Sequence, residues 1–438
     1  MGGSTNFIHA RGRIKSYKLL TFFYYLRAKY WLRFSSRAKL ERYQQKQLKR
    51  ILGYMKKHNP FYHTKNLSER DLSSWPCMDK YNLMTHFDEL NTAHIPLAQA
   101  QHVAQQAEVT RDFTPKIGKY SVGLSSGTSG IRGVFLISPR EQAQWSGTIL
   151  AKMLPKSIFC KQKIAFFLRA DNNLYESVKS HIIQFKFFDL KKPFEQHISI
   201  LQNFLPDILV APPTVLYLLA QAQEQEKLHI APIKIISVAD VLYDDVKQYI
   251  SRIFKQKVHQ IYQATEGLIA CTCAQGHLHL NEELMLVQQK HLEKNSGRFI
   301  PVLTDFNRTT QPIIRYELND ILTLSSQPCS CGNPSLVIER IEGRCDDVLY
   351  APGNPLRPVF PDFIVRLVLQ YLPFVGNFQF RQVSLTKAQL ALPVDMKCPL
   401  KLLTQLKQIL PIQIDVTVWR PATDLTHKQK RVVREFSV

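Results

Sequence analysis

The spacing of apolar and polar residues divides the chain into a helical start, a long alternating middle and a small end of different pattern. Residues 11–57 carry long charged and apolar side chains without an internal proline, which predicts helices. The stretch from there to about residue 118 is predicted to be rich in loops. Two short strands are predicted next, Tyr120–Leu124 and Val134–Ile137, on either side of a serine- and glycine-rich loop.

Helix and strand signals alternate through the middle of the chain. Short β-rich runs begin at Lys163, Asp207 and Ile233. Segments of helical length lie between and after these runs, at Phe194–Phe204, Thr214–Glu226 and Tyr243–Phe254. This alternation predicts an α/β fold in which helices and mixed β-sheets form layers.

The pattern changes from Pro355 onward, where a helix, a strand, a second helix and a second strand are predicted. Their expected bounds are Asp362–Tyr371, Phe378–Val383, Pro399–Leu410 and Ile412–Trp419. These elements predict a small mobile α+β lobe of about ninety residues. We therefore expect a basic amphipathic helical segment (1–57), a large domain on which it packs (58–345) and a small C-terminal lid (346–438).

The formal net charge of +22 is concentrated near the start of the chain. Between Arg11 and Lys57 there are fifteen Lys or Arg residues and one acid, Glu41, with ten aromatic residues interleaved. One interpretation is a helix with a solvated cationic face that packs on the large domain. The other is peripheral contact with an anionic membrane at its inner face. Nucleic acid ranks below both, because no nucleic-acid motif accompanies the charge.

The apolar runs and the cysteines in the sequence indicate the cellular compartment in which we expect the protein. No run approaches the roughly 20 apolar residues that span a bilayer, and the longest one near the start is Leu19–Leu26. No small-residue cleavage site follows it, so we expect a cytoplasmic protein. The eight cysteines should then be reduced, and their clustering favours a metal site over disulfides.

The first chemical signal is the loop between the two short strands. It reads Ser125-Ser126-Gly127-Thr128-Ser129-Gly130 and continues to Gly133. Small residues let the backbone close around a phosphate, with amide and hydroxyl groups as donors. No Gly-Lys-Ser/Thr follows, so this is not a Walker loop, and a merely flexible connection is the alternative.

Further sequence blocks follow in a fixed order. They are Tyr262–Gly267, Thr304–Phe306, Pro312–Tyr316, Asn319–Asp320, Glu342–Asp347 and His427–Val432. In this order and spacing they resemble the core motifs of acyl- and aryl-CoA synthetases, adenylation domains and luciferases. His58–Tyr62 and the paired cysteines resemble the phenylacetate–CoA ligase and CapK-like branch in particular. The resemblance covers the chain from about residue 40 to its end.

The resemblance implies an AMP-forming ligase that uses ATP and Mg²⁺. In this family the loop that starts at Ser125 would hold the β- and γ-phosphates, and Thr265 would contact the α-phosphate. Glu266 would be the Mg²⁺ ligand, as suits a hard cation. Lys428 would be the mobile lysine that bridges the acid and the phosphate, with Lys430 as a rival for the role.

The resemblance also implies the nucleoside contacts and the hinge. Asp320 would bind the two ribose hydroxyls and Arg344 would reach the same ribose, the alternative being a plain surface ion pair. Tyr262 would pack beside the adenine. Asp346 would be the hinge about which the small lobe turns between the two half-reactions.

Three positions depart from the family pattern. The phosphate loop lacks the common lysine and has Arg132 nearby. Asn319 replaces the glycine before the ribose aspartate, and His427 replaces the glycine before the catalytic lysine.

A second constellation combines cysteine and histidine. Cys271, Cys273, His277 and His279 are followed some fifty residues later by Cys329-Ser330-Cys331. Thiolates and imidazoles match the four-ligand preference of structural zinc. The pattern of some members of this branch aligns best with Cys273, His279, Cys329 and Cys331, and reduced cysteines in a turn are the alternative.

Three functions remain open from the sequence. The first is an acid–CoA ligase, with an apolar pocket for an aromatic or medium-length acid lined by Thr214–Leu219, Val238–Asp240 and the Ala264 region. The second keeps the adenylation but passes acyl or AMP to an amine, a hydroxyl, a carrier protein or a deazaflavin. The third is a non-catalytic, membrane-associated scaffold with a degenerate ligase fold.

Overall fold

The protein is described in a computed structural model over residues 17–65, 67–110, 115–125, 132–168, 182–292, 297–372, 378–420 and 430–437. Residues 17–26 are helical and run into a π-helical turn, Arg27–Trp31. The α-helices with complete bounds are α1 (Arg37–His58), α2 (Pro60–His63), α3 (Lys80–Thr85), α4 (Phe87–Leu90), α5 (Leu97–Thr110), α6 (Pro139–Met153), α7 (Phe194–Phe204), α8 (Pro213–Glu224), α9 (Asp244–Phe254), α10 (Pro361–Tyr371) and α11 (Leu400–Ile409).

Twenty-one strands are found in the described ranges, in four sheets. They are β1 (Lys116–Ile117), β2 (Tyr120–Leu124), β3 (Val134–Ile137), β4 (Gln162–Leu168), β5 (Ile183–Asp189), β6 (Ile208–Ala211), β7 (Lys234–Ser237), β8 (Val258–Ala264), β9 (Gly267–Thr272), β10 (Leu278–Leu280), β11 (Met285–His291), β12 (Arg298–Asp305), β13 (Tyr316–Glu317), β14 (Asp320–Leu324), β15 (Val337–Arg344), β16 (Leu349–Ala351), β17 (Arg357–Val359), β18 (Gln379–Ser384), β19 (Lys387–Leu392), β20 (Gln413–Val418) and β21 (Val432–Arg434).

A twelve-stranded sheet organises the large part of the chain. Strands β5, β4, β6, β7 and β8 pair in parallel. From β8 the pairing turns antiparallel, through β9, β10, β15, β14, β12 and β11, with β13 beside β12. Strand β8 therefore belongs to both halves, and its carboxyl end lies where the two kinds of pairing meet. In α/β sheets, ligands commonly bind outside the carboxyl ends of the parallel strands.

Helices cover both faces of the parallel half. Helices α7, α8 and α9 bury Leu201, Leu216 and Ile250 against one face. On the other face α6 packs through Leu150 and Met153. A separate core joins α1–α5 to the antiparallel half and to the small sheet of β1, β2 and β3. The mixed layers confirm the predicted α/β class.

The N-terminal helical residues pack directly on α6. A Cβ atom at Gly147 would lie 2.5 Å from the Thr21 carbonyl oxygen and 2.6 Å from the Tyr25 nitrogen, so this approach requires glycine. Tyr24 and Tyr25 are buried by it. The described part of the basic segment thus packs against the large domain on one face.

The last part of the chain has a core of its own. Strands β20, β19, β18 and β21 form a mixed sheet covered by α10 and α11. The buried members of this core all lie between Leu349 and Val432, with Tyr243 packed at its edge. This grouping supports a boundary near residue 345, which stays a prediction together with the three proposed domains.

The prediction of loops between residues 58 and 118 is wrong in part. That stretch contains the short helices α2, α3 and α4 and the fourteen-residue α5. Helix α5 buries Ala100, Ala104 and Ala107, which share one face at helical spacing. An alanine stripe among glutamines gives little contrast in hydrophobicity, so the periodicity is weak in the sequence.

Among the residues that the structure describes, no helix combines the length and the apolar character that crossing a membrane requires.

Candidate active site

The Thr265–Glu266 pair forms the two-residue turn between β8 and β9, because Ala264 and Gly267 are partners in the ladder. The turn therefore sits at the carboxyl end of the last parallel strand, where the pairing becomes antiparallel. Thr265 donates from Oγ1 to Glu266 Oε2 at 3.0 Å. Beneath the turn, Arg308 donates to the Thr265 carbonyl oxygen at 2.5 Å. This buried arginine holds the backbone of the turn in place.

Strand register brings Asp320 and Arg344 together. They are direct partners in the antiparallel ladder of β14 and β15. Arg344 Nε lies 3.6 Å from Asp320 Oδ1, and the Tyr262 hydroxyl donates to Asp320 Oδ2 at 2.5 Å. Burial raises the pKa of Tyr262 well above its usual range, and the Asp320 carboxylate adds to the effect. The phenol therefore stays a donor at neutral pH.

One cleft of about 890 Å³ is lined by Tyr262, Thr265, Glu266, Asp320 and Arg344, together with Ser125 and Asp346. Tyr316 is part of its wall and lies near the Glu266 carboxylate. Burial raises the pKa of Tyr316, and Glu266 raises it further. The volume lies in the range of small-molecule and cofactor sites. The described residues that the sequence assigned to the nucleotide thus share a single space.

The phosphate loop is closed at its base by two hydrogen bonds. Ser125 N donates to the Gly133 carbonyl oxygen at 2.7 Å, and Gly133 N donates to Ser125 Oγ at 2.8 Å. The remaining predicted loop residues, Ser126, Gly127, Thr128, Ser129 and Gly130, lie outside the described residues.

Two cationic side chains, those of Arg132 and Lys80, lie beside this loop in different surroundings. Arg132 forms a bidentate ion pair with Glu108, at 2.8 and 2.5 Å. Lys80, from the first turn of α3, lines the cleft, and its Cε would lie 3.3 Å from a Cβ atom at Gly133. Burial lowers the pKa of Lys80, and the nearby Glu266 carboxylate offsets part of this. Lys80 faces the cleft, whereas Arg132 is held by a carboxylate.

The small lobe contributes a lysine to the cleft. Lys430 lines it, and its Nζ lies 2.7 Å from Asp347 Oδ2. The next residue, Arg431, pairs with Asp245 of α9 at 2.7 Å, which ties the small lobe to the large one. Lys428, the predicted catalytic lysine, and His427 before it lie outside the described residues.

The hinge position has a partner that the family pattern lacks. The Asn319 side chain donates to the Asp346 carboxylate. Asn319 thereby links the strand that carries Asp320 to the predicted pivot.

The prediction that Thr214–Leu219 lines the acid pocket is wrong. This stretch begins α8, and Val215, Leu216 and Leu219 are buried on the opposite face of the sheet. The apolar part of the cleft runs instead beneath α6. Val238–Asp240 and Ala264 do line the cleft, as predicted. Periodicity predicts an apolar helix face, but it does not say which face of the sheet a helix covers.

Cys273, His279, Cys329 and Cys331 form a four-residue cluster whose ligand atoms all lie within 4.8 Å of one another. Within it, Cys273 Sγ lies 3.8 Å from Cys329 Sγ, and Cys331 Sγ lies 3.4 Å from His279 Nε2. The hairpin of β9 and β10 supplies the first two residues, and the loop before β15 supplies the cysteine pair.

Two neighbours in the motif are not part of this cluster. The Cys271 thiol is buried in the core and accepts from Asn281 Nδ2 at 3.7 Å. The His277 Nδ1 atom lies 3.0 Å from Cys329 Sγ, outside the group of four.

Two residues carried too little signal in the sequence to be predicted. Lys80 lies far from the blocks that the sequence assigns to the nucleotide site, and Arg308 contacts the backbone of the turn from outside the cleft lining. A lysine in the first turn of a short helix is an ordinary surface pattern. Only the fold brings Lys80 beside the phosphate loop.

No protein-family model matches the chain. Two curated proteins are similar to parts of it. "Protein CapK" of Staphylococcus aureus is 29% identical over 157 residues, 35% of this chain and 34% of CapK. Phenylacetate-coenzyme A ligase of Thermus thermophilus is 21% identical over 217 residues, 46% of this chain and 48% of the ligase. The matched regions span no more than about half of either relative.

Solved structures extend the likeness to most of the chain. 2-Hydroxyisobutyryl-CoA ligase in its postadenylation state, with R3-HIB-AMP, superposes with a TM-score of 0.69 at 15% identity, over 92% of this chain and 91% of that chain. In its thioesterification state, with 2-HIB-AMP and CoA, the same ligase gives 0.55 at 17% identity, over 92% and 91%. The fold of the chain therefore fits the first lobe arrangement better than the second.

The fold is that of the adenylate-forming ligases among the solved structures, with a large domain and a small C-terminal lobe. The comparisons also confirm the resemblance to CapK and phenylacetate–CoA ligase.

Proposed function

We propose that the chain is an AMP-forming ligase that activates a carboxylic acid with ATP. The observation that carries this proposal is the convergence of Thr265–Glu266, Asp320, Arg344 and Tyr262 on one cleft. Three of these residues, Tyr262, Asp320 and Arg344, lie on paired strands of the sheet. The strand pairing therefore fixes their positions relative to the cleft. A site that is built on strands holds its groups more rigidly than one built on loops.

In the first half-reaction a carboxylate oxygen of the acid attacks the α-phosphorus of ATP. The new O–P bond gives an acyl-adenylate, and the bond to the β-phosphate breaks to release pyrophosphate. Lys80 lies where it would offset the negative charge of the phosphates. Glu266 is the carboxylate at the turn that would hold Mg²⁺, which would supply further charge neutralisation.

Asp320 would accept hydrogen bonds from the two ribose hydroxyls, and Arg344 would orient its carboxylate. Both groups already lie in contact, as do Asp320 and Tyr262. Lys428 remains the proposed mobile lysine that would bridge the acid and the α-phosphate.

In the second half-reaction a thiol gives up its proton, its sulfur attacks the acyl carbonyl carbon, and AMP leaves. CoA is the proposed thiol, and Asp346 the proposed hinge for the turn of the small lobe. An amine, hydroxyl, carrier protein or deazaflavin acceptor is the alternative. Mass spectrometry of the products with and without CoA would separate these acceptors.

The test of the adenylation is exchange of labelled pyrophosphate into ATP. Purified protein with ATP and Mg²⁺ should catalyse the exchange only in the presence of its acid, because the acyl-adenylate must form and revert. Glu266→Gln should lower the exchange by about 100-fold, the order expected for loss of one charge-stabilising group. Glu339→Gln, at an exposed position on β15, is the matched control and should be neutral. Absence of exchange across a broad acid panel would overturn the proposal.

We also propose that Cys273, His279, Cys329 and Cys331 hold a structural zinc ion. Zinc–sulfur bonds of about 2.3 Å in a tetrahedron place two sulfurs about 3.8 Å apart. The 3.8 Å separation of Cys273 Sγ and Cys329 Sγ fits that geometry. His279 Nδ1 donates to the Ser335 carbonyl oxygen at 3.0 Å, which leaves Nε2 as the ligand atom.

A third proposal concerns the outer face of the N-terminal helical residues. Leu19, Phe23, Tyr30 and Trp31 are exposed there, by 70%, 45%, 62% and 60%. Lys18 and Arg33 are exposed on the same segment, while Tyr24 and Tyr25 face the domain. Aromatic and cationic groups on one face suit an anionic bilayer, which offers both apolar area and negative charge.

Sedimentation with vesicles tests this contact. The protein should bind vesicles that contain phosphatidylserine more tightly than neutral ones, and salt should weaken the binding. Leu19→Ser should reduce the bound fraction, whereas Leu400→Ser, at an even more exposed leucine of the small lobe, should not. Equal binding to neutral and anionic vesicles, or equal effects of the two substitutions, would contradict the proposal.

A further inference from the structure

The cleft has an apolar arm that is longer than a small acid requires. It leaves the Thr265–Glu266 turn and continues between α6 and the parallel half of the sheet. Trp145 stands at its mouth, where its Nε1 donates to Gln263 Oε1 at 3.0 Å, close to Ala264. The acid carboxylate would have to lie at this end, because the turn and Lys80 are here.

Two independent measures give the depth of the arm. Along α6 it is lined by Trp145, Ile149 and Met153, and eight residues of helix rise about 12 Å. Along β4 it is lined by Leu168, Phe166 and Ile164, and four residues of strand rise about 13 Å. Helix and strand thus bound the same arm over the same length.

The lining side chains are apolar from mouth to floor. Trp145, Ile149 and Leu168 belong to the core between α6 and the sheet but are only partly buried, because they face this space. An apolar space within a core costs stability unless something fills it. The occupant that fits this lining is apolar over the length of the arm, with a charged group at the end that lies beside the turn.

We infer that the acid is a fatty acid with an unbranched chain of medium length, whose tail lies in this arm. An extended chain advances roughly 1.2 Å per bond. An arm of about 12 Å then takes roughly ten carbons beyond the carboxyl group. This inference rests on the proposed adenylation, and it names the substrate class of the same site.

The experiment is pyrophosphate exchange with a series of acids: phenylacetate and saturated acids of four to eighteen carbons. We expect kcat/KM to rise by roughly fourfold per added methylene, the factor for burying one methylene. The rise should stop at about ten to twelve carbons and turn into a fall beyond that length, where the tail meets the floor of the arm.

A substitution halfway along the arm makes the test specific. Ile149→Phe should move the optimum to acids shorter by several carbons, and a cooperative thermal unfolding transition like that of the wild type shows that the variant is folded. Ile233→Phe, the same change at a residue that is 41% exposed outside the cleft, should leave the length profile as it is. A shifted optimum in Ile149→Phe alone supports the inference.

The outcomes also separate the two proposals. Exchange with phenylacetate or short acids, without a gain for longer chains and without an effect of Ile149→Phe on the length profile, would overturn the fatty-acid inference and leave the adenylation standing. No exchange with any acid would overturn both.

Discussion

At the scale of single residues, the decisive question is which cation serves the phosphates. The sequence offers Arg132, the basic residue nearest the glycine-rich loop. In the structure Arg132 is held by Glu108 on both guanidinium nitrogens, and Lys80 instead lies beside Gly133 within the cleft. Charge that is already paired contributes little to binding another anion. Proximity in sequence was therefore a poor guide to the electrostatics of this loop.

We predict that removing the charge of Lys80 and removing the charge of Arg132 have different effects on the KM for ATP. Lys80→Met should raise KM for ATP by about tenfold or more, which corresponds to about 1.4 kcal/mol of lost binding. Arg132→Met should change KM by less than about threefold, since the Arg132 guanidinium already forms an ion pair with Glu108. Steady-state kinetics of the two variants decide the matter, and a larger effect in Arg132→Met would show that the assignment is reversed.

At the scale of elements, the sequence predicts well which segments of the chain supply the residues of the cleft. The motif from Tyr262 to Gly267 was predicted to supply part of the nucleotide site, and it covers the end of β8 and the turn to β9. The positions of Asp320 and Arg344 were predicted separately, but their contact is a matter of register between β14 and β15. Register depends on long-range pairing, which local patterns do not contain.

What the sequence does not predict at this scale depends on packing between elements. Helix α5 was missed because an alanine face gives a weak signal. Part of the acid pocket was predicted on α8, whereas the helix that lines the cleft is α6. In the sequence, α6 and α8 both have an apolar face. Only the hand of the crossovers and the position of the N-terminal helix against Gly147 decide which face of the sheet each one covers.

The metal cluster gives a prediction at the scale of elements, because it would join the β9–β10 hairpin to the loop before β15. Purified protein should contain about one zinc ion per chain by elemental analysis. Cys329→Ser should lower that content and the melting temperature. Cys160→Ser, at an exposed cysteine outside the cluster, should change neither. Zinc-free protein from zinc-supplemented cells, with a melting temperature that chelators do not change, would contradict the site.

At the scale of the whole molecule, two lobes meet over one cleft. The small lobe reaches it through Lys430, and the Arg431–Asp245 ion pair holds the lobe against α9. The Asn319 contact with Asp346 lies at the predicted pivot between them. A rotation that moves the small lobe away from α9 has to break the Arg431–Asp245 pair.

The central claim is that side chains from separate strands converge around one nucleotide, and titration calorimetry of Mg²⁺-ATP binding tests it most directly. The wild-type protein should bind ATP, and Asp320→Ala should weaken the binding at least tenfold, because it removes the carboxylate that would hold the ribose hydroxyls. Asp415→Ala, at a half-exposed aspartate on β20, should bind as the wild type does. An unchanged Kd in Asp320→Ala, or no binding of ATP by the wild type, would contradict the account.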